Sequence, residues 1–179
     1  MSVTTDDEFS EWAAGQWQRL LRTAVLLGCS LPEAEDAAQA TLVRCYVKWS
    51  QVRRAEHRTA YVAKVLLNVH REARRKASAQ ERPLAEVPEV PADVDEAERL
   101  ASVDAVRRAL AGLSDGHREV VLLRFYLQLS EREIAEACGV PPGTVKSRLS
   151  RAITQLGGSV ELEEFRAVSA KVSREGGPS

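Results

Sequence analysis

The chain has 179 residues, with 25 Lys or Arg against 26 Asp or Glu and a formal net charge of −1. That length supports one or two small domains. An aromatic content of 5% beside abundant aliphatic residues and Ala points to an all-α fold rather than to sheets. No apolar run reaches about 18 residues, so no membrane insertion is expected.

The N-terminal part reads as three helices. The first runs from about Asp7 to Gly28, with Trp17, Leu20, Leu21, Ala24 and Leu27 at three- and four-residue steps. Gly28 is its expected stop. The second runs from about Pro32 to Trp49. Ser30 is placed as its cap, Pro32 suits the first turn, and Glu33, Glu35 and Asp36 suit the positive end of the helix dipole. Ala37, Ala40, Val43 and Val47 are its expected core stripe. The third runs from about Thr59 to Ala77 and buries Tyr61, Val62, Val65, Leu66 and Val69. Trp12, Trp17 and Trp49 read as core or helix-edge anchors, and His70 as an ordinary helix residue.

Residues 79–100 form an expected acidic, flexible linker with Pro83, Pro88 and Pro91. It divides a first domain, 1–78, from a second, 101–157, with a tail at 158–179. The second part opens on a helix from Glu96 to Leu113, then one from Asp115 to Leu129. Ser130 with Glu133 three residues on is a capping box. It starts a short helix, Glu131 to Cys138, that stops at Gly139. A turn, Gly139-Val140-Pro141-Pro142, leads into a last helix reaching about Leu156, stopped by Gly157-Gly158.

A short helix, a Gly-bearing turn and a second helix make a helix-turn-helix pattern. At 100° steps Val145, Leu149, Ala152, Ile153 and Leu156 share one sector of the last helix, which docks on Ile134, Ala135 and Val121. Ser147, Ser150, Arg151 and Thr154 lie opposite, with Lys146 and Arg148 on the flanks. Short hydroxyls let a backbone approach DNA, Arg forks onto guanine edges, and cations neutralise phosphates. Thr144 at the helix start offers a hydroxyl and a backbone N–H to a phosphate.

The charge pattern agrees. Ser50 to Ser78 holds eight basic residues against two acids, and Ala79 to Leu100 seven acids against two basic residues. Screening beyond roughly 10 Å makes such local fields, not the whole-chain charge, decide binding to a polyanion. Arg71, Arg74 and Arg75 share a face of the third helix. Arg53, Arg54 and Arg58 sit in the loop before it. Together they form an expected nucleic-acid surface.

Cys29, Cys45 and Cys138 lie far apart, no CxxC occurs, and His57, His70 and His117 are not spaced as ligands. No metal, cofactor or disulfide is expected, and the cysteines read as small buried hydrophobes in a reducing compartment. Met1 to Asp7 lacks the features of a secretory signal, so a cytoplasmic location is expected. No carboxylate pair, phosphate loop or nucleophile triad stands out, and no enzyme site is expected.

Leu113-Ser114 with His117-Arg118-Glu119-Val120-Val121-Leu122-Leu123-Arg124 resembles the opening of sigma region 4. Ser130-Glu131-Arg132-Glu133-Ile134-Ala135, Gly139-Val140 and Gly143 to Ala152 continue the likeness. Ala34-Glu35-Asp36 with Gln39 and Thr41 resembles region 2.2, and Ala60-Tyr61-Val62 through Asn68 to Arg74-Arg75 resembles regions 2.3 and 2.4. From about Asp7 to Leu156 the chain resembles the extracytoplasmic-function (ECF) sigma factors of the sigma-70 family, and is similar to their actinobacterial sigma-E-like group.

The resemblance implies a subunit that binds core RNA polymerase and recognises promoter DNA at −10 and −35. Lys146, Ser147, Ser150 and Arg151 match positions that read −35 bases, with Arg148 beside them. Arg124 and Thr144 match DNA-backbone contacts. Asn68, Arg71, Arg74 and Arg75 match the −10 surface, with the Gln51 to Thr59 loop and its Arg53, Arg54 and Arg58 over the non-template strand. Asp36 and Gln39 match the face that docks on the β′ clamp helices, and region 4 implies the β flap. The family also implies an anti-sigma factor that masks the polymerase-binding faces. This chain has Ala40 and Leu42 where the family usually has an acid and an aromatic, and Tyr61 where it usually has Trp. Sparse aromatics lead us to expect a polar pocket in the Gln51 to Thr59 loop for captured bases. A helix-turn-helix regulator that is not a polymerase subunit, and a protein-binding adaptor, are the rival readings.

Overall fold

The structure is a computed structural model that describes residues 5–80 and 106–157. Their elements are helical, with no strand among the described residues, as an all-α fold requires. They divide into two compact units. The first holds α1 (Thr5–Leu26) as far as Val25, α2 (Leu31–Val47), α3 (Trp49–Arg54) and α4 (Arg58–Ala79). The second holds α5, described at 106–111, α6 (Asp115–Val121) with a π-helical turn (Leu122–Tyr126), α7 (Glu131–Cys138) and α8 (Pro142–Leu156). The expected tail and most of the expected linker lie outside the described residues; Ala79 and Gln80 finish α4.

Helix α1 ends as expected before Gly28, whose φ of +105° a side chain would resist. Leu20 and Ala24 are buried. Ser30 caps α2, its N–H and hydroxyl both donating to Glu33 Oε2 at 2.8 and 2.7 Å. The expected stripe on α2 holds at Ala37, reaches half-burial at Ala40 and fails at the two valines. Val43 and Val47 are 57% and 76% exposed, while Ala34, Ala37, Ala38, Thr41 and Cys45 are buried. This face of small side chains packs on α4, whose Val62, Leu66, Leu67 and Val69 supply the bulk. Each such Leu or Val contributes about 1.5–3 kcal/mol by leaving water. Thr41 satisfies its buried hydroxyl by donating to the Ala37 carbonyl at 2.7 Å.

The second and third expected helices are also separated differently. Lys48 leaves helical geometry (φ −110°, ψ 25°), and a short extra helix, α3, follows. It turns Trp49 and Val52 into the core. Trp49 meets Trp12 and Phe9 at centroid distances of 4.9 and 5.3 Å, and Phe9 meets Tyr46 edge-on at 5.0 Å. Trp12 and Trp49 are anchors, as expected. His70 is a core residue, its Nδ1 3.3 Å from Cys29 Sγ.

In the second unit, Ser114 caps α6 by accepting the His117 N–H. Arg118 is buried and fans its guanidinium over the end of α5. Nε donates to Leu110 O at 2.9 Å and Nη2 to Leu113 O at 3.1 Å, satisfying carbonyls a helix end leaves open. The single helix expected from Asp115 to Leu129 is shorter. It widens into the π turn, where the Leu127 N–H donates to Leu122 O, and Gln128 at φ +57° ends it. The turn points Leu122, Leu123 and Tyr126 inward.

Candidate nucleic-acid interface

The helix-turn-helix is built as its residues dictate. The Ser130 N–H and hydroxyl both donate to Glu133 Oε2, at 2.7 and 2.6 Å, so the capping box closes. Gly139, at φ +69°, ends α7 in the left-handed region, and its N–H and that of Val140 both donate to Ala135 O. Pro142 then opens α8. Val145, Leu149, Ala152 and Leu156 are buried as expected, while α8 packs on α6 and α7. Ile153 departs from expectation. It sits at the edge of the apolar sector and is 39% exposed.

The opposite face of α8 is open: Lys146, Ser147, Ser150, Arg151 and Thr154 are all exposed. Ser147 donates its hydroxyl to Thr144 O and Thr154 to Ser150 O, which leaves their oxygens able to accept. Thr144 is half-buried, and its N–H already donates to Pro141 O at 2.9 Å, so only its hydroxyl remains for a phosphate. Arg148 is half-buried. Its guanidinium lies over Gly116 in the first turn of α6, where an added Cβ would come within 3.1 Å of Cζ and Nη1. Arg124 is exposed and donates from Nη1 to Leu129 O at 3.1 Å.

In the first unit the loop expected from Gln51 to Thr59 shrinks to Ala55, Glu56 and His57. Arg53 and Arg54 are the last turn of α3, and Arg58 opens α4. Arg58 Nη2 donates to Arg53 O at 2.8 Å, drawing the two helix ends together. Arg53 pairs with Glu8 at 3.0 Å. On α4, Asn68 and Arg75 are exposed, and Arg71 and Arg74 are half-buried. Glu72 lies within this cationic run. Arg44 holds it with two contacts of 2.6 and 3.2 Å. The Arg44 hydrogen bond, with the charges of Arg44, Arg75 and Lys76, keeps the Glu72 carboxyl below its usual range. Tyr61 donates its hydroxyl to Gln51 Oε1 at 3.4 Å.

Asp36 and Gln39 are exposed on α2. Val43 and Val47 follow at helical steps and continue their face outward. Sequence reasoning missed this apolar extension, because a valine at such spacing reads as core. It also missed the Arg44 clamp and the buried role of Arg118. A lone Arg in a helix gives no signal of where its guanidinium goes.

Residues 104–156 match the family described as Sigma-70, region 4. The RNA polymerase sigma-E factor of Streptomyces coelicolor is 35% identical over 149 residues, covering 83% of this chain and 84% of that protein. The protein is an RNA polymerase sigma factor. The ECF RNA polymerase sigma factor SigL of Mycobacterium tuberculosis, 33% identical over 156 residues with 83% and 84% coverage, places the sigma factor in the ECF group. A solved sigma factor, RpoE in complex with the anti-sigma factor NepR from Bartonella quintana, superimposes with a TM-score of 0.66 at 25% identity, covering 87% of the sigma factor and 97% of RpoE. CnrH, solved with the cytosolic domain of CnrY, shares the fold at a TM-score of 0.63 and 23% identity. No described helix of the sigma factor is long and apolar enough to cross a membrane.

Proposed function

We infer that the protein binds core RNA polymerase and directs promoter-specific initiation through −10 and −35 elements, acting by binding rather than by catalysis. The observation that carries this reading is the outward face of α8, where Lys146, Ser147, Ser150 and Arg151 stand exposed on a capped helix-turn-helix. Arg151 and Lys146 read or neutralise −35 DNA, with Thr144 and Arg124 on its backbone. Arg148, lying over Gly116, sets the pose of α8 and lends its charge. Residues 101–157 serve as region 4 and engage the β flap. Residues 1–78 serve as region 2, and 79–100 link the two. Arg53, Arg54, Arg58, Asn68, Arg71, Arg74 and Arg75 face −10 DNA. The α2 face of Asp36, Gln39, Val43 and Val47 meets the β′ clamp helices.

Neither module alone offers DNA the surface of a tight complex, so the polymerase supplies the geometry that makes binding bivalent. The protein works in the cytoplasm, where polymerase is. An anti-sigma factor is its expected regulator; the likeness to a sigma factor solved with one supports this.

Run-off transcription with purified core polymerase tests the reading. Promoter-dependent transcripts are expected only when the protein is added. Binding to DNA without any effect on core enzyme would favour a regulator that is not a polymerase subunit.

A further inference from the structure

The first turn of α1 carries Asp6, Asp7 and Glu8. An acidic first turn is stabilised by the helix dipole alone. Yet this one is also pinned to residues 40 and 45 positions away in sequence. Asp6 Oδ1 accepts the Tyr46 hydroxyl at 3.0 Å, and Glu8 Oε2 accepts from Arg53 Nη1 at 3.0 Å. Phe9, the residue after Glu8, packs edge-on to both Tyr46 and Trp49. The apolar ring fixes where α1 begins, and the carboxylate lands on a cation of the −10 surface.

We propose that Glu8 acts as an intramolecular stand-in for a DNA phosphate, holding Arg53 until nucleic acid displaces it. The proposal rests on the reading that Arg53 faces −10 DNA. Both partners keep about two-fifths of their side-chain surface in water, at 43% and 40%. An ion pair so exposed is weak and screened by salt, so it tempers binding and does not block it. A phosphate that takes Arg53 releases a counterion from the DNA. It also strands the Glu8 carboxylate beside a polyanion. The device therefore lowers affinity for DNA in general and leaves sequence preference to other residues. It penalises stray contacts most when no second module adds its own.

The test is a double-mutant cycle on the full chain, titrated against a short fluorescent single-stranded DNA of mixed sequence from about 50 to 200 mM salt. Glu8→Gln keeps the shape and removes the charge. It is expected to tighten binding about two- to five-fold at low salt, with the gain fading as salt screens the pair. Arg53→Ala is expected to weaken binding. In the double variant the gain from Glu8→Gln should vanish, because its target is gone. If Arg53→Ala weakens binding but Glu8→Gln leaves it unchanged or weaker, Glu8 merely positions Arg53 and the proposal is overturned. A persistent gain in the double variant would show general charge repulsion instead of competition at Arg53, and would overturn it too. If Arg53→Ala changes nothing, the assignment of Arg53 to DNA fails first.

Discussion

Helices α2 and α8 each present the face proposed above to meet a partner, and they are built in opposite ways. Helix α8 buries its large aliphatics, Val145, Leu149 and Leu156, and exposes hydroxyls and cations. Helix α2 buries Ala34, Ala37, Ala38, Thr41 and Cys45 and leaves Val43 and Val47 in water. Small inner residues bring α2 close to α4, so its larger side chains have nowhere to go but out. A DNA-reading face needs charge and close approach. A face that docks on protein gains from an apolar centre beside polar groups. The same amphipathic logic thus yields a polar exterior in one helix and a partly apolar one in the other.

The contrast predicts opposite responses to side-chain volume. Leu149→Ala should cost about 2–5 kcal/mol of stability by leaving a cavity. Ala38→Leu on α2 should cost about 1–3 kcal/mol by overpacking against α4. Urea denaturation of the two variants checks both; a harmless Ala38→Leu would mean that α2 is not tightly seated.

On the outward faces the effects move from folding to binding. Arg151→Ala should leave stability within about 0.5 kcal/mol. It should cost about 1–3 kcal/mol of promoter discrimination at one base step in a −35 substitution series. A uniform loss over all sequences would make Arg151 a phosphate contact. Val43→Ser with Val47→Ser should likewise spare stability, and should weaken binding to core polymerase several-fold in a pull-down titration. Unchanged binding would show that the apolar part of α2 lies outside the docking face.

The smallest effect is a pH slope. Burial pushes the Cys45 thiol up to about 11, above an unfolded value of about 8.5. A raised folded pKa gives stability that is complete below about pH 8.5 and lost as pH climbs toward 11. Denaturation across that window should show a shallower decline for Cys45→Ala than for the parent chain.

The second unit was the more legible from its residues. Ser130 with Glu133, Gly139 and Pro142 each act locally, within one turn, and they set the bounds of α7 and α8. The first unit hid more. Nothing between Val47 and Ser50 breaks a helix by composition; the break at Lys48 follows from where Trp49 and Val52 must go to meet the core. Arg53 and Arg54 read as loop because the segment from Gln51 to Thr59 is rich in charge, although α3 is helical through both. The π turn was invisible because it depends on seating Leu122, Leu123 and Tyr126 together, which no local pattern encodes.

The guanidinium of Arg148 resting on Gly116 links two positions 32 apart in the chain. A larger residue at 116 would crowd the arginine, which would have to give way by a few tenths of an ångström. On the reading proposed for α8, a helix grafted from another sigma factor to redirect this one would have to suit position 116 as well as DNA. On that reading, specificity is not a cassette confined to α8, but a property shared with the helix beneath it.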